Sequence, residues 1–497
     1  MRAYLALFVT AALVSALLTP VVRPLALRVG AVSLPGGRNV NERAVPRLGG
    51  IAVALGFLAP LVGILFMPSV IGATLRADWL KLSALLVGGV ALMGVGVLDD
   101  TRRIRAVYKL CAQVAAATLA FACGYRIDAI ELPLLGQLSM GIFALPVTVL
   151  WITGVTNAIN LIDGLDGLAA GAAFFAGVTN FVVAYVAGSS FFAAIMEAML
   201  GAVVGFLFFN FNPARIFMGD SGSYFLGFIL GTVSLGAAQK ASTTVSLLAP
   251  IVALGLPIVD MLLSMVRRVV ERRSIFSPDR GHIHHRLLDM GLTHRRAVLI
   301  LYGVCIVLTT AALGVSLGRS WQVGIAILCA TLAVVAIVRF AGYFESVTLA
   351  LRRSPHVWNV QAQRLRSALP ETVSRLAIAR NDRDVIEALD ALCKGAGLAR
   401  VEIVAHDATV SRPPPGDLLV RQYGAGSPAA AQSAVRFAWS GTAEESSPQS
   451  DVMLQIIVDL VTAAFVRYGS RHAPRAPVTV PTPVPGSVAS VRLHELR

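Results

Sequence analysis

Runs of about twenty apolar residues follow one another from the N-terminus to about residue 341, separated by short polar loops. Twenty residues of helix rise about 30 Å, the thickness of the hydrocarbon core of a bilayer. Inside hydrocarbon every backbone N–H and C=O must be satisfied within the protein, and a continuous run of this length does so as a helix. The runs predict about eleven spans, near 3–27, 48–68, 80–97, 107–124, 140–157, 165–188, 190–209, 222–240, 245–266, 297–317 and 321–341. Hydrophobic residues are 56% of the chain and charged residues 14%, against about 45–50% and about 25% in soluble domains. The first run continues to Leu27 without a small-residue cleavage pattern, so it reads as a retained span and not as a signal peptide. The expected fold is an all-α polytopic membrane protein.

A net charge of +14 raises the question of nucleic acid, but the bases sit in short loops between apolar runs. There they orient the protein, because cytoplasmic loops carry the Lys and Arg excess. One set of loops holds Arg28, Arg38, Arg43 and Arg47, then Arg102, Arg103, Arg105 and Lys109, then Arg215, then the bases of 267–296. The alternate set holds only Arg76, Lys81, Arg126, Lys240 and Arg319. The asymmetry places the first set in the cytoplasm, the N-terminus outside and the C-terminus inside. No nucleic-acid partner is expected. The five cysteines form no close Cys-x-x-Cys pair, so neither a disulfide framework nor a zinc site is indicated. After Gly342 the composition becomes that of a soluble domain. The expected division is a transmembrane domain over 1–342, a small cytoplasmic C-terminal α/β domain over 343–472, and a Pro-rich disordered tail over 473–497. Helices are predicted over 343–380, 382–395 and 451–468, and a strand over 401–405; a GAF-like regulatory module is one guess for the domain.

Four polar clusters all fall in the cytoplasmic set of loops, and ionisable groups at membrane depth are costly and mark function. The first is Leu98-Asp99-Asp100, with Lys109 across a short loop. Adjacent carboxylates repel, so they call for a metal, a cation or a proton; an ordinary acidic helix end is the plainer reading. The second cluster is Asn157-Ala-Ile-Asn160-Leu-Ile-Asp163-Gly-Leu-Asp166-Gly-Leu-Ala-Ala-Gly171. Its four amide and acid residues recur every third position and would form one polar stripe on a helix. Gly164, Gly167 and Gly171 would leave room for another backbone or a ligand. A polar helix–helix seam is the structural alternative. The third cluster, 209–223, ends in Phe217-Met218-Gly219-Asp220-Ser221-Gly222-Ser223. Asp220 opens the eighth span, where a carboxylate can cap the helix or hold a hard cation against a phosphate. Phe217 can stack on a flat base or face lipid. The fourth is Pro278-Asp279-Arg280-Gly281-His282-Ile-His284-His285-Arg286, read as a cationic phosphate-binding loop or a bland basic one.

In this order the clusters resemble the polyprenyl-phosphate N-acetylhexosamine-1-phosphate transferase family over roughly residues 40–292. The resemblance is carried by Pro46-Arg47-Leu48-Gly49-Gly50, Leu98-Asp99-Asp100, residues 157–168, residues 217–223 and His282-Ile283-His284-His285. The HIHH form is most similar to bacterial undecaprenyl-phosphate N-acetylglucosaminyl-1-phosphate transferases, which start O-antigen of lipopolysaccharide, enterobacterial common antigen or teichoic acid linkage. The run of three His followed by an acid, typical of the peptidoglycan enzyme, is absent, as is the Arg-rich loop of the dolichol enzymes.

The resemblance implies transfer of N-acetylglucosamine-1-phosphate, or a related N-acetylhexosamine-1-phosphate, from a UDP-sugar to undecaprenyl or another polyprenyl phosphate. UMP would be released, at a bacterial plasma membrane. Asp220 and Asn160 would bind Mg²⁺ or Mn²⁺, and Asp99 and Asp100 would sit at the carrier phosphate as the catalytic pair. Lys109 would contact a phosphate, Asp166 and Phe217 would hold uracil, and Asp163 would order the metal's surroundings. Asn157 joins the substrate-binding set, with His282, His284, His285 and Arg286 on the pyrophosphate or sugar. A homodimer is kept open. The alternatives are the same reaction with a different UDP-N-acetyl sugar and, from another class, a secondary transporter. Transporters place such groups near the midplane with internal repeats, whereas here they cluster on one face.

The loop charges generate a test. In a protein freed of its native cysteines, a cysteine at Ser274 or Asn39 should be shielded from an impermeant outside reagent. One at Asp128 should react. Labelling at Ser274 in intact cells would reverse the orientation.

Overall fold

The computed structural model of the chain describes residues 2–33, 44–102, 104–132, 136–240, 248–270, 281–318, 320–341, 355–398, 400–405, 418–424, 433–440, 448–467 and 478–481. Arg38, Arg43, Arg103, Arg319, residues 278–280 of the fourth cluster and residues 343–354 lie outside the described residues. The chain divides into two compact units, Met1–Ala350 and Leu351–Arg497.

The first unit begins with helix α1 (Arg2–Arg28) and the short antiparallel strands β1 (Val32–Ser33) and β2 (Val45–Pro46). Helices α2 (Gly49–Leu65), α3 (Val70–Ala77), α4 (Trp79–Arg102) and α5 (Ala106–Ala122) follow, then the hairpin of β3 (Ala129–Leu132) and β4 (Gly136–Ser139). Next come α6 (Ala144–Ile162), α7 (Leu168–Val186), α8 (Ser190–Asn210) and α9 (Gly219–Lys240). The unit closes with α10 (Leu248–Ala253), α11 (Gly255–Val270), α12 (Ile283–Asp289), α13 (His294–Leu317) and α14 (Ser320–Phe340).

This is a helical membrane protein, and α1 shows why. Its large apolar side chains Leu5, Val9, Leu13, Leu17, Val21 and Leu25 are exposed at four-residue spacing. The opposite face, with Ala11, Ser15 and Thr19, is the buried one. In water such a stripe would be an aggregation liability; against lipid it matches its solvent. Between helices lipid offers no hydrophobic drive, so close contact depends on small residues. Gly201 and Gly205 of α8, four apart, sit where a Cβ would fall 2.2 Å from the Phe8 and Ala12 carbonyl oxygens of α1.

Among the described residues seven helices are long and apolar enough to cross a membrane, and α2 with α3, bent by 99°, would make an eighth. About eleven spans were expected, and the differences are local. The run 107–124 gives only the 17-residue α5. The expected single span 245–266 is two helices, α10 and α11, interrupted at Leu254. The polar stripe expected at 157–166 is also cut. α6 ends at Ile162, Asp163 is its C-cap, and Gly167 takes a φ of 79° before α7 begins. Because the helix has already stopped before Asp166, that residue leaves the face that carries Asn157 and Asn160.

In the second unit, α15 (Pro355–Ile378), α16 (Asp382–Ala396) and α17 (Pro448–Arg467) accompany the strands β5 (Arg400–Ala405), β6 (Leu418–Gly424), β7 (Ser433–Ser440) and β8 (Val478–Pro481). The strands form one antiparallel sheet in the order β6-β7-β5-β8. The core is built from Leu376, Leu389, Leu392, Val401, Phe437, Ile457 and Val461. The tail expected to be disordered thus contributes a strand: Val478, Thr479 and Val480 are β-branched or β-favouring, and Pro481 is tolerated because β8 is an edge.

What positions the polar clusters is the packing of α9's first turn. A Cβ at Gly50 would lie 2.0 Å from the Gly222 nitrogen, and one at Gly96 would lie 2.4 Å from Ser221 Cα. The glycines let α2 and α4 approach α9 backbone to backbone. Beside them Leu48, buried, adopts a φ of 126°, a strained conformation that persists only where neighbours hold it. Here they do: Gly49 and Gly50 donate to the Phe217 and Met218 carbonyls at 2.9 Å, and Phe217 N donates to Pro46 O at 2.9 Å. Because backbone cannot yield as a flexible side chain does, Gly50→Ala and Gly96→Ala should each destabilise the protein by about 1–3 kcal/mol, the cost of overpacking. Thermal unfolding in detergent measures this, and unchanged melting would remove the close approach from the account.

Candidate active site

Four helix ends meet here: the C-terminal ends of α4 and α6 and the N-terminal ends of α5 and α9. The α4 end supplies two carboxylates with different duties. Asp100 accepts from the backbone N–H of Asp220 at 3.1 Å and of Ser221 at 3.1 Å. It is therefore the cap of α9, supplied by another helix. Asp99 accepts from Ile104 N at 2.8 Å and from Lys109 Nζ at 2.6 Å. Lys109, on the first turns of α5, also reaches Asp220 Oδ2 at 3.3 Å.

Asp220 is the hub. Its Oδ1 accepts from Asn160 Nδ2 at 3.0 Å, and its Oδ2 accepts from Tyr224 Oη at 3.1 Å as well as from Lys109. Asn160 also donates to Ser223 Oγ at 2.9 Å. Thus Asp99, Asp100, Lys109, Asn160 and Asp220 come together. Asp163 follows at the C-cap of α6, with its carboxyl pushed up to about 8 by burial and then by the charges of Asp220 and Asp100.

Asn157 and Asp166 are engaged elsewhere. Asn157 Nδ2 donates to Gln113 Oε1 at 2.6 Å and to Thr153 O at 2.8 Å, a polar seam between α5 and α6. Asp166, 7% exposed, accepts on Oδ2 from Asn212 Nδ2 and Ala214 N, both at 2.9 Å, and its own N–H donates to His294 Nε2 at 2.8 Å. It braces the loop that leads to Phe217, which is itself half-buried and backbone-paired to Arg47. The glycines of this cluster make room for side chains. A Cβ at Gly164 would lie 2.2 Å from His284 Nε2, and one at Gly171 would lie 2.2 Å from the Tyr302 ring.

The histidines form a stack rather than an open basic loop. The His282 and His284 rings are parallel within 6° at 5.6 Å, and His284 and His285 lie 4.4 Å apart at 44°. His284 is 2% exposed, its Nδ1 has no hydrogen-bond partner among the described residues, and burial pulls its pKa down to about 3. Arg286 donates to Gly281 O at 3.3 Å and to Ala341 O at 3.1 Å. Gln113, Tyr224, His294 and Asp260 lie outside the four sequence clusters, and Asn212 and Ser223 lie inside the third without an assigned role. Of the four outside, Asp260 carried a signal, as the one acid in the apolar run 245–266.

Asp99 and Asp220 flank one ammonium, Lys109, while Asp100 and Asp163 add negative charge beside Asp220 and Arg47 opposes it from a distance. Such a site invites a further cation. Among the described residues no three His, Cys, Asp or Glu side chains form a ready ligand set. A carboxylate with a neighbouring carboxamide suits Mg²⁺, which takes one or two protein carboxylates and completes its shell from water and phosphate oxygens. The Asp220–Asn160 pair fits that group.

Fold and site together define a polytopic helical membrane protein with a carboxylate-rich centre built from helix ends. Residues 82–238 match glycosyl transferase family 4. The chain is 36% identical over 315 residues to a probable undecaprenyl-phosphate N-acetylglucosaminyl 1-phosphate transferase of Bacillus subtilis, covering 63% of this chain and 85% of that protein. It is 36% identical over 321 residues to a decaprenyl-phosphate N-acetylglucosaminephosphotransferase of Mycobacterium tuberculosis, covering 59% and 78%. An undecaprenyl-phosphate alpha-N-acetylglucosaminyl 1-phosphate transferase of Salmonella typhi is 27% identical over 293 residues, covering 56% and 75%. This chain belongs to glycosyl transferase family 4, in the polyprenyl-phosphate N-acetylhexosamine-1-phosphate transferase group that its motifs resemble.

The two acids of α4 should separate in a stability measurement. Asp100→Ala removes a cap and should cost about 0.5–2 kcal/mol. Asp99→Ala removes a partly exposed ion pair and should cost about 1 kcal/mol or less. Equal melting shifts would refute the division of duties.

Proposed function

We propose that the protein transfers N-acetylglucosamine-1-phosphate from a UDP-sugar to a polyprenyl phosphate, releasing UMP and making the first lipid-linked sugar of a cell-envelope polysaccharide. The observation that carries this reading is the meeting of Lys109, Asp99, Asn160 and Asp220 at helix ends. The named relatives act on prenyl phosphates and N-acetylglucosamine, which supports acceptor and sugar. In the reaction an oxygen of the lipid phosphate bonds to the sugar-linked β-phosphorus. The bond from that phosphorus to the bridging oxygen breaks, and UMP leaves with the electron pair.

Phosphoryl transfer of this kind rests on positioning and charge stabilisation rather than on covalent help from the protein. A lipid phosphate is already largely ionised at neutral pH, so no obligatory base is needed. Asp99 then positions the acceptor through Lys109, and Asp100 holds the α9 turn that aims Asp220. Asp220 and Asn160 would hold Mg²⁺ or Mn²⁺, which when bound neutralises pyrophosphate charge. Asp163 tunes that pair electrostatically. Asp166 reaches the nucleotide through the loop bearing Phe217, and His282, His284, His285 and Arg286 attend the pyrophosphate and sugar. The loop charges support a site on the cytoplasmic face.

Asp220→Asn should insert normally and lose nearly all transfer, and EDTA should abolish wild-type transfer until Mg²⁺ is restored. The assay incubates membranes with a polyprenyl phosphate and labelled UDP-sugars and identifies the lipid product. Wild-type turnover by the variant at unchanged metal dependence would take Asp220 out of the site.

A further inference from the structure

Residues 281–283 are gripped by one face of α11. Asp260, 2% exposed, accepts from His282 Nδ1 at 2.8 Å on Oδ2 and from the Ile283 N–H at 2.7 Å on Oδ1. Two turns further along α11, Arg267 donates to Gly281 O at 2.6 Å. Arg286 donates to the same carbonyl, and Ile283 and Leu287 are packed in the apolar core.

The anchoring of this segment is thus redundant, and a buried carboxylate is a costly way to add one more anchor. Taking a charge out of water costs several kcal/mol, and even a paired buried carboxylate often stabilises no more than apolar packing would. What the carboxylate supplies that apolar packing cannot is direction. A carboxylate only accepts, so the proton between it and His282 belongs on Nδ1. The Nε2 atom, on the far side of the ring, then points away from α11 and is the nitrogen left for another partner. The ring lies parallel to His284, which packs on Gly164 in the turn carrying Asp163. The series Asp260, His282, His284, Gly164 therefore joins α11 to the end of α6.

We infer that Asp260 is a positioning residue of the transfer reaction, fixing the ring orientation and proton placement of His282 so that Nε2 meets a substrate phosphate oxygen. The inference rests on the function proposed above. Partners that orient a metal-bound histidine in this way matter by about 10–100-fold when removed, and the same order is expected for a histidine held toward a phosphate.

The test is a double-mutant cycle on the full chain, with Mg²⁺, a polyprenyl phosphate and labelled UDP-N-acetylglucosamine. Asp260→Asn should lower kcat by about 10–100-fold, with the KM for the UDP-sugar changed much less. His282→Asn should lower kcat at least as far, and the double variant no further than His282→Asn alone. A purely structural Asp260 would instead show losses that multiply, with unfolding temperature falling in step, and that result overturns the inference. So does wild-type kcat in Asp260→Asn. If Asp260→Asn does not accumulate folded, Asp260→Glu, which keeps the charge and displaces it, enters the same cycle with a smaller expected loss. Failure of both to fold assigns the carboxylate to the fold and also overturns the inference. Absence of transfer by the wild-type protein overturns the functional reading itself, whereas an active wild type with multiplicative losses overturns only the role of Asp260.

Discussion

A helix begins with N–H groups that have no partner within the helix, and those of α9 are met by a carboxylate from another helix. Asp100 takes the N–H groups of Asp220 and Ser221, and the rest of the centre depends on that contact. It pins the end of α4 to the start of α9, which only glycine at Gly96 permits at this distance. With α4 fixed, Asp99 faces Lys109, and Lys109 reaches across to Asp220. With α9 fixed, Asp220 and Ser223 face Asn160 on α6. The strained Leu48 and its flanking glycines serve the same turn from the side of α2. One capping interaction thus organises four helices.

The electrostatics follow from that geometry. Bringing helix ends together brings their polar residues together, and three of the four ends carry acids. The crowding is felt most at Asp163, whose carboxyl is pushed up to about 8 by burial and by Asp220 and Asp100. A centre intended for anionic phosphates cannot work as a bare cluster of carboxylates, because like charges would repel the ligand. Lys109 offsets part of the excess. A divalent cation shared between Asp220 and phosphate oxygens would offset more, and this is the physical case for metal dependence. Helix ends, unlike the middles of membrane helices, also spare ionised groups the solvation cost of the bilayer centre.

Much of this was legible in the residues. Apolar run length marked the membrane helices, and the polar clusters at 98–100, 157–168 and 217–223 marked the helix ends that converge. What was hidden depends on pairings between distant segments. Asn157 belongs to a polar stripe that can serve a substrate or a helix–helix seam, and nothing local reveals that Gln113 of α5 faces it. Asp166 looked like its continuation because the three-residue rhythm persists through a turn in which the helix has already stopped at Ile162. The glycines offer room for another backbone or a ligand, and at Gly164 and Gly171 the room is taken by the side chains of His284 and Tyr302. Asp260 was visible as a lone acid in an apolar run, yet its partner lies more than twenty residues away, across a segment whose path periodicity cannot supply.

Asp99 and Asp100 pose the question of why two adjacent acids are needed at all. Consecutive helical residues point about 100° apart, and the two acids take up different duties. Asp100 is spent on the backbone of α9, and Asp99 is left facing Lys109. An ammonium group has three donors. In Lys109 one is directed at Asp99 and one at Asp220. Under the proposed function the third would meet a phosphate oxygen without breaking either bond. The pair of carboxylates therefore does not compete with a phosphate for the lysine: it holds the ammonium in place, between the acid that caps no helix and the acid that suits a metal, with one donor still to give.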